Sequence, residues 1–423
     1  TDPGARMSPT VLVNGVALAL DGVEYRVTVS HGRNDITSAP APSDASMTLI
    51  GFLTVPLGVS DIVEVESYGV TRFTGRVTDV TLSHDYNPNG PTLGAGATAY
   101  IARLDVTMIG NLSRLGLKFV GAAGYAKELL HDRVENILID AGVSFANNSD
   151  PLMTQEALDA VDGGYSALDL LTALGTETGG TLCDLPDGAV LWESYSRRGY
   201  GYNPAHWTDL DPLDTFADIN YIWADVYDRV DTAPLTVELP HAAVAWSPMW
   251  RNTSQTILND VTVIYGANQN QSKTDTDPAS IISHGRRAFT LSTQLHDAAD
   301  AQSRASDIIR TQSEPRYAVQ AVEVLVETLT DPLRASLLDV ISGSKVGIDL
   351  MPQPAPIDDF VGVCEGWAET YTPGHHRLTL SLSDPRFSYQ VVRWDEVDPV
   401  LTWAGVDLTV QWYNVVTSAD LVA

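Results

Sequence analysis

The chain has 423 residues, enough for two to four domains with separate cores, and its 44% hydrophobic content belongs to a folded globular protein. No apolar run approaches the ~20 residues that a membrane span requires, so no stable membrane insertion is expected. With 54 acidic against 25 basic side chains and a net charge of −29, the surface repels phosphates, which excludes sequence-specific DNA readout.

Strands are predicted at Thr10-Val-Leu-Val13 and Glu24-Tyr-Arg-Val-Thr-Val29, joined through the turn signals Asn14-Gly15 and Asp21-Gly22. A polar stretch over 31–45 precedes another strand at 47–53. A hairpin over 61–82 and a strand at 102–108 complete a compact β-domain. Apolar residues at 125, 129, 130, 134, 137, 138 and 141 then recur at three and four, predicting an amphipathic helix over 124–141, with Gly142 placed as its C-terminal stop. A second helix is predicted over 166–175. The run 181–193 reads as a hairpin turning on Pro186-Asp-Gly188.

Residues 201–258 are rich in Pro, Trp and Asp and predict irregular connections. A strand follows at 257–265, a polar loop at 266–278 and a helix at 297–312 with its apolar stripe on Ala298, Ala301, Ala305, Ile308 and Ile309. A strand at 319–326 leads to a further β-unit ending near Asp384-Pro385. The tail places Trp394, Trp403 and Trp412 nine residues apart, each opening a related nonapeptide. Nine residues fits no helical stripe, so the pattern predicts an extended arm that docks one Trp per step onto a partner. A terminal hairpin packed on its own domain is the alternative.

One pattern occurs twice. The first copy holds Asp61-Ile-Val-Glu-Val65, Phe73-Thr-Gly-Arg-Val77 and Ala102-Arg-Leu-Asp-Val-Thr107. The second holds Lys345-Val-Gly-Ile-Asp-Leu350, Phe360-Val-Gly-Val-Cys364 and His376-Arg-Leu-Thr-Leu-Ser-Leu382. Each is an alternating strand, a Phe-x-Gly strand and a closing alternating strand, which points to duplication. The glycine in each Phe-x-Gly run marks a bend or a close neighbour.

The residues offer no chemistry. The nine histidines fall into no metal-ligand spacing, and the adjacent His375-His376 would point to opposite faces of a strand. Nucleophile elbows, phosphate loops and dinucleotide fingerprints are absent from the sequence. Asp209-Leu-Asp-Pro-Leu-Asp214 has Pro and Leu where a calcium loop needs Gly and oxygen ligands. Cys183 and Cys364, the only cysteines, read as small buried core residues. No catalytic residue, cofactor or metal site is expected.

Taken in order, these segments resemble the tail-hub (baseplate hub or minor tail) proteins of long-tailed bacteriophages. The resemblance rests on Phe73-x-Gly-x-Val77, Asp140-Ala-Gly-Val143, Gly163-Gly-Tyr-Ser-Ala-Leu-Asp-Leu-Leu171 and Asn259-Asp-Val-Thr-Val-x-Tyr265. It continues through Phe360-x-Gly-x-Val-x-x-Gly-Trp367 and Ser383-Asp-Pro385, and the Trp nonapeptides are similar to the ends of such proteins in phages of actinobacteria. It implies a mainly β (α+β) fold: two related β-barrel, tube-like domains at 1–117 and 226–385, the latter with the helix near 297–312. Between them it implies an α/β insert at 118–225, and after them an extended C-terminal arm at 386–423. It also implies a non-enzymatic homotrimer, a pseudo-sixfold ring at the virion tail tip joining the sixfold tube to the threefold tip. The protein would be made in the host bacterial cytoplasm. Its partners would be further copies of itself, the distal tail or tube protein, the tape-measure protein and tip or fibre proteins, with phage DNA passing through unread. Two rival readings are a host-receptor or carbohydrate-binding module using Trp207, Trp223, Trp246 and Trp250, and a cell-wall hydrolase.

Overall fold

The first unit holds six main strands, β1 (Thr10–Val13), β2 (Glu24–Gly32), β3 (Asp44–Ile50), β4 (Ile62–Ser67), β5 (Val70–Tyr86) and β6 (Tyr100–Ile109), and a short strand, Val16–Ala17, that turns back on β1. Their apolar residues alternate, so Val27, Val29, Met47, Leu49, Val63, Val65, Leu104 and Val106 all point into one core. Asn14 and Gly15 both have positive φ, 50° and 78°, as a tight two-residue hairpin turn demands. The spatial order is β1-β4-β5-β6-β3-β2, with every neighbouring pair antiparallel. The computed structural model describes residues 9–20, 23–34, 38–51, 57–86, 100–148, 157–194, 236–245, 250–252, 257–315, 317–319, 321–349, 360–383, 392–393 and 415–416.

The middle of the chain holds helices α1 (Leu130–Ala141) and α2 (Ala167–Thr178), followed by the hairpin β7 (Thr181–Asp184) and β8 (Val190–Glu193). Helix α1 starts six residues later than its periodicity suggests. Tyr125 bridges to Val161 and Glu128–Leu129 pairs with Ala157–Leu158, which holds the preceding turn extended. Ser166 caps α2 by accepting from the Asp169 amide, and Gly142 ends α1 in the left-handed region at φ 63°.

The second unit comprises β9 (Val237–Pro240), β10 (Val244–Ala245), β11 (Trp250–Asn252), β12 (Tyr317–Val319), β13 (Val322–Leu325), β14 (Lys345–Asp349), β15 (Phe360–Thr372) and β16 (His375–Ser383). Its order, β9-β14-β15-β16-β13-β10, repeats that of the first unit strand for strand. The register repeats as well. Gly75 faces Val63 and Phe73 faces Val65; Gly362 faces Val346 and Phe360 faces Ile348. Even the bulge recurs, between Val77 and Asp79 in one copy and between Cys364 and Gly366 in the other. One departure is that β9 runs parallel to β14, whereas β1 is antiparallel to β4.

The Phe-x-Gly motif has one physical cause in both units. A Cβ at Gly75 would lie 2.4 Å from Phe73 Cζ, and one at Gly362 would lie 2.8 Å from Phe360 Cε1. In each case the ring covers the bare glycine, so the close neighbour inferred from the motif is the strand's own phenylalanine.

Three expectations need correction. Among the described residues neither unit closes into a barrel; the two share one sheet of thirteen strands, with β11 and β12 standing apart from it as a separate pair. Helix α3 (Ala298–Gln312), expected inside the second β-domain, packs its Ala301, Ala305, Ile308 and Ile309 in one core with Leu138, Leu171 and Trp192. It belongs to an excursion between β11 and β12, so it leaves the second unit to pack against the α/β module. The polar run 266–278 contains a strand, Gln271–Thr276, pairing with Asp260–Tyr265. Its exposed residues carry no apolar alternation, which is why it read as loop. Helix α4 (Asp331–Leu338), with Pro in its first turn, was not anticipated because it buries only Leu337 and Leu338.

Candidate functional site

The two copies meet edge to edge. Strand β2 of the first unit pairs antiparallel with the C-terminal half of β15 in the second, from Gly32 opposite Gly366 to Val27 opposite Tyr371. At the bulged end the backbones come too close for side chains. A Cβ on Gly32 would lie 2.3 Å from the Glu365 carbonyl oxygen, and one on Gly366 would lie 2.3 Å from that of His31. Gly32 also holds φ at 70°.

A buried polar cluster lies along this seam. Arg72 of β5 donates through Nε to Glu369 Oε1 at 2.7 Å and through another guanidinium nitrogen to the Leu338 carbonyl. Glu369 also accepts from Trp367 Nε1 at 3.0 Å and from the Tyr371 hydroxyl, and pairs with His376 Nε2 at 2.8 Å. Burial by itself would raise the Glu369 carboxyl, but the Arg72 charge and the His376 and Tyr371 contacts outweigh it and hold it far below the usual range. Burial and the Glu369 charge push the Tyr371 hydroxyl well up.

His31 extends the cluster through β2. Its ring stacks on Trp367 with centroids 4.5 Å apart. Nε2 lies 2.7 Å from the Arg72 carbonyl, which can only accept, so Nε2 carries the proton and Nδ1 accepts from Ser43 Oγ at 2.6 Å. Burial lowers its pKa to about 4, keeping the ring neutral. A second pair, Arg33 Nε to Glu365 Oε2 at 2.8 Å, bridges the units, with Ser383 donating to the other oxygen.

The middle module is tied to the same place. Asp184 of β7 accepts from the backbone amides of Ser43 at 2.8 Å and Leu112 at 2.6 Å. Burial raises its pKa to about 6 in spite of both donors. Gly110 gives it room, since a Cβ there would sit 2.4 Å from Asp184 Oδ2. The seam therefore locks three segments of the chain into one body. Its buried groups are held by one another, and it presents no open face for a substrate.

No protein-family model matches the chain, and no curated protein matches it. Solved structures do. The 43 kDa tail protein of prophage MuSo2 from Shewanella oneidensis is similar over 90% of this chain and 99% of its own, with a TM-score of 0.58 at 11% identity. A tail protein from Neisseria meningitidis MC58 is similar over 90% of this chain and 98% of its own, with a TM-score of 0.57 at 12% identity. The chain has the fold of these phage tail proteins.

Trp394, Trp403 and Trp412 lie outside the described residues, as do Trp207, Trp223 and Trp246; Trp250 lies in β11. Among the described residues no group of three or more His, Cys, Asp or Glu could hold a metal, and no helix is long and apolar enough to cross a membrane. Cys183 and Cys364 are both buried free thiols, as their setting in strands suggested. His375 is exposed and His376 buried, on opposite faces as expected, but His376 belongs to the Glu369 cluster. The sequence held one signal for that cluster. Glu369 falls in phase with Trp367 and Tyr371, at a position where alternation calls for an apolar side chain.

Proposed function

We propose that the chain is the hub subunit of a phage tail tip, a structural protein that assembles as a homotrimeric ring of six related units. The observation that supports this reading is the repeated strand order and register within one polypeptide, on a fold shared with phage tail proteins. Three chains of two units each present six similar surfaces around an axis. Such a ring matches a sixfold tail tube on one side and a threefold tip on the other.

In this reading the segment 1–117 and the β-strands of 226–385 supply the ring, the α/β module at 118–225 decorates it, and 386–423 forms an arm. Trp394, Trp403 and Trp412 dock that arm onto a neighbouring tail protein, each burying ~150–250 Å². The distal tail or tube protein, the tape-measure protein and tip or fibre proteins are the partners. Phage DNA crosses the ring during ejection without being read. B-DNA carries a charge every ~1.7 Å of axis, so an acidic lining, screened over ~8 Å, keeps it from adhering.

Native mass measurement of the purified chain tests the reading. A species of three times 45.6 kDa is expected. A chain that stays monomeric or dimeric at every concentration tried sinks it.

A further inference from the structure

We infer that the rings close by strand addition between copies, with the edge of β10 and β11 in one chain pairing with residues 79–84 of β5 in the next. The inference rests on the trimeric reading and specifies the surface that would build it. Its basis is the joint already present inside each chain.

Within the chain, β2 of the first unit pairs with β15 of the second over Gly366–Tyr371. Matching the two bulges aligns Asp79 with Gly366, Val80 with Trp367, Leu82 with Glu369 and His84 with Tyr371. The counterpart of the β15 edge is therefore the far half of β5. Ser60 and Asp61 hydrogen-bond to Val77, and beyond that point no strand pairs with this side of β5 among the described residues.

The faces differ as an open and a filled joint should. Trp367, Glu369 and Tyr371 are buried by the neighbouring unit, whereas Leu82, at the place of Glu369, is 46% exposed. An exposed leucine on an unpaired strand edge is a liability unless another strand covers it.

The complementary edge follows from the same matching. Strand β10 pairs with β13 as β2 pairs with β3, and β11 pairs with β12 where the Gly32 end of β2 lies. Among the described residues no strand pairs with the outer side of β10 or β11. Carrying the internal register across sets Trp250–Asn252 opposite Thr81–Asp79 of the next copy. The contact is head-to-tail, so each chain offers one edge of each kind, and a ring of three leaves none open.

Variants of each edge, weighed by native mass measurement, test the assignment. On the β5 edge, Leu82→Asp charges an exposed face without touching the core, and Thr81→Pro is its backup. On the other edge, Trp250→Pro and Arg251→Pro are made as a pair, because adjacent residues present their amides to opposite sides. The β5-edge variants, and the one of the two β11 variants whose amide faces outward and whose circular dichroism is therefore unchanged, are expected to weaken trimer formation at least tenfold. A β5-edge variant mixed with a β11-edge variant should give a one-to-one dimer and nothing larger, since only one joint remains intact. If wild-type chain is trimeric and the variants remain so, or the mixture gives no dimer, the edge assignment is overturned while the ring reading stands. A wild-type chain that never forms trimers overturns both.

Discussion

Arg72 and Glu369 are 297 positions apart in sequence, yet their side chains form an ion pair at 2.7 Å, with 1% and 0% of each exposed. They join the two units from opposite sides of the seam. Removing one partner leaves an uncompensated buried charge. Glu369→Ala is expected to cost about 3–5 kcal/mol in urea unfolding, while Arg72→Met combined with Glu369→Leu should cost much less than the two single losses added. Equal additivity would show that the pair does not act as a unit.

The glycine contact makes a sharper steric prediction. Gly32→Ala and Gly366→Ala each force a methyl into opposing backbone, with an expected loss of about 3 kcal/mol. Gly58→Ala, where a Cβ meets nothing closer than the Asp61 carboxylate at 3.6 Å, should be close to neutral. Comparable midpoints for all three would mean that the strands separate readily at this joint.

Acid stability should carry the signature of His31. Its folded pKa is about 4, below the ordinary 6.5, so the unfolded chain binds the proton first. The stability it contributes is complete above pH 6.5 and is lost as pH falls towards 4, by about 3 kcal/mol in all. Measured against His31→Gln across that window, the wild type should lose ground steadily. A difference independent of pH would refute the neutral buried ring.

Asp184 has the opposite sign. Its folded pKa is raised from 3.8 to about 6, so its contribution is greatest in acid and falls as pH rises through that interval. Asp184→Asn can accept only one of the two backbone donors and should cost about 1–3 kcal/mol. Hydrogen exchange should quicken at the Ser43 and Leu112 amides in that variant. Unchanged protection at both would detach Asp184 from the anchoring role.

Much of the architecture was legible because alternation is local. Val63 and Val65, or Leu378 and Leu380, declare a buried face without reference to anything distant. The Phe-x-Gly repeat was legible for the same reason, since Phe73 covers a glycine only two residues away. What strand β2 pairs with is a different kind of fact. Nothing near Glu24–Gly32 says that its neighbour is β15, and Gly32 by itself reads as the end of a strand. The stripe on α3 showed that one face is buried but not which core buries it. Glu369 and His376 are each polar at an apolar phase, whereas Arg72 is turned inward where the register against β4 shifts beside Phe73, and the three make sense only beside one another.

The long reach of the β2–β15 joint bears on how the chain is made. Arg33 emerges from the ribosome 332 residues before Glu365. At translation speeds of ~5–20 residues per second, the nascent β2 waits roughly 15–70 s for its partner. Glu24 and Arg26, both on its solvent side, are charges that discourage premature pairing with other nascent chains in the interval.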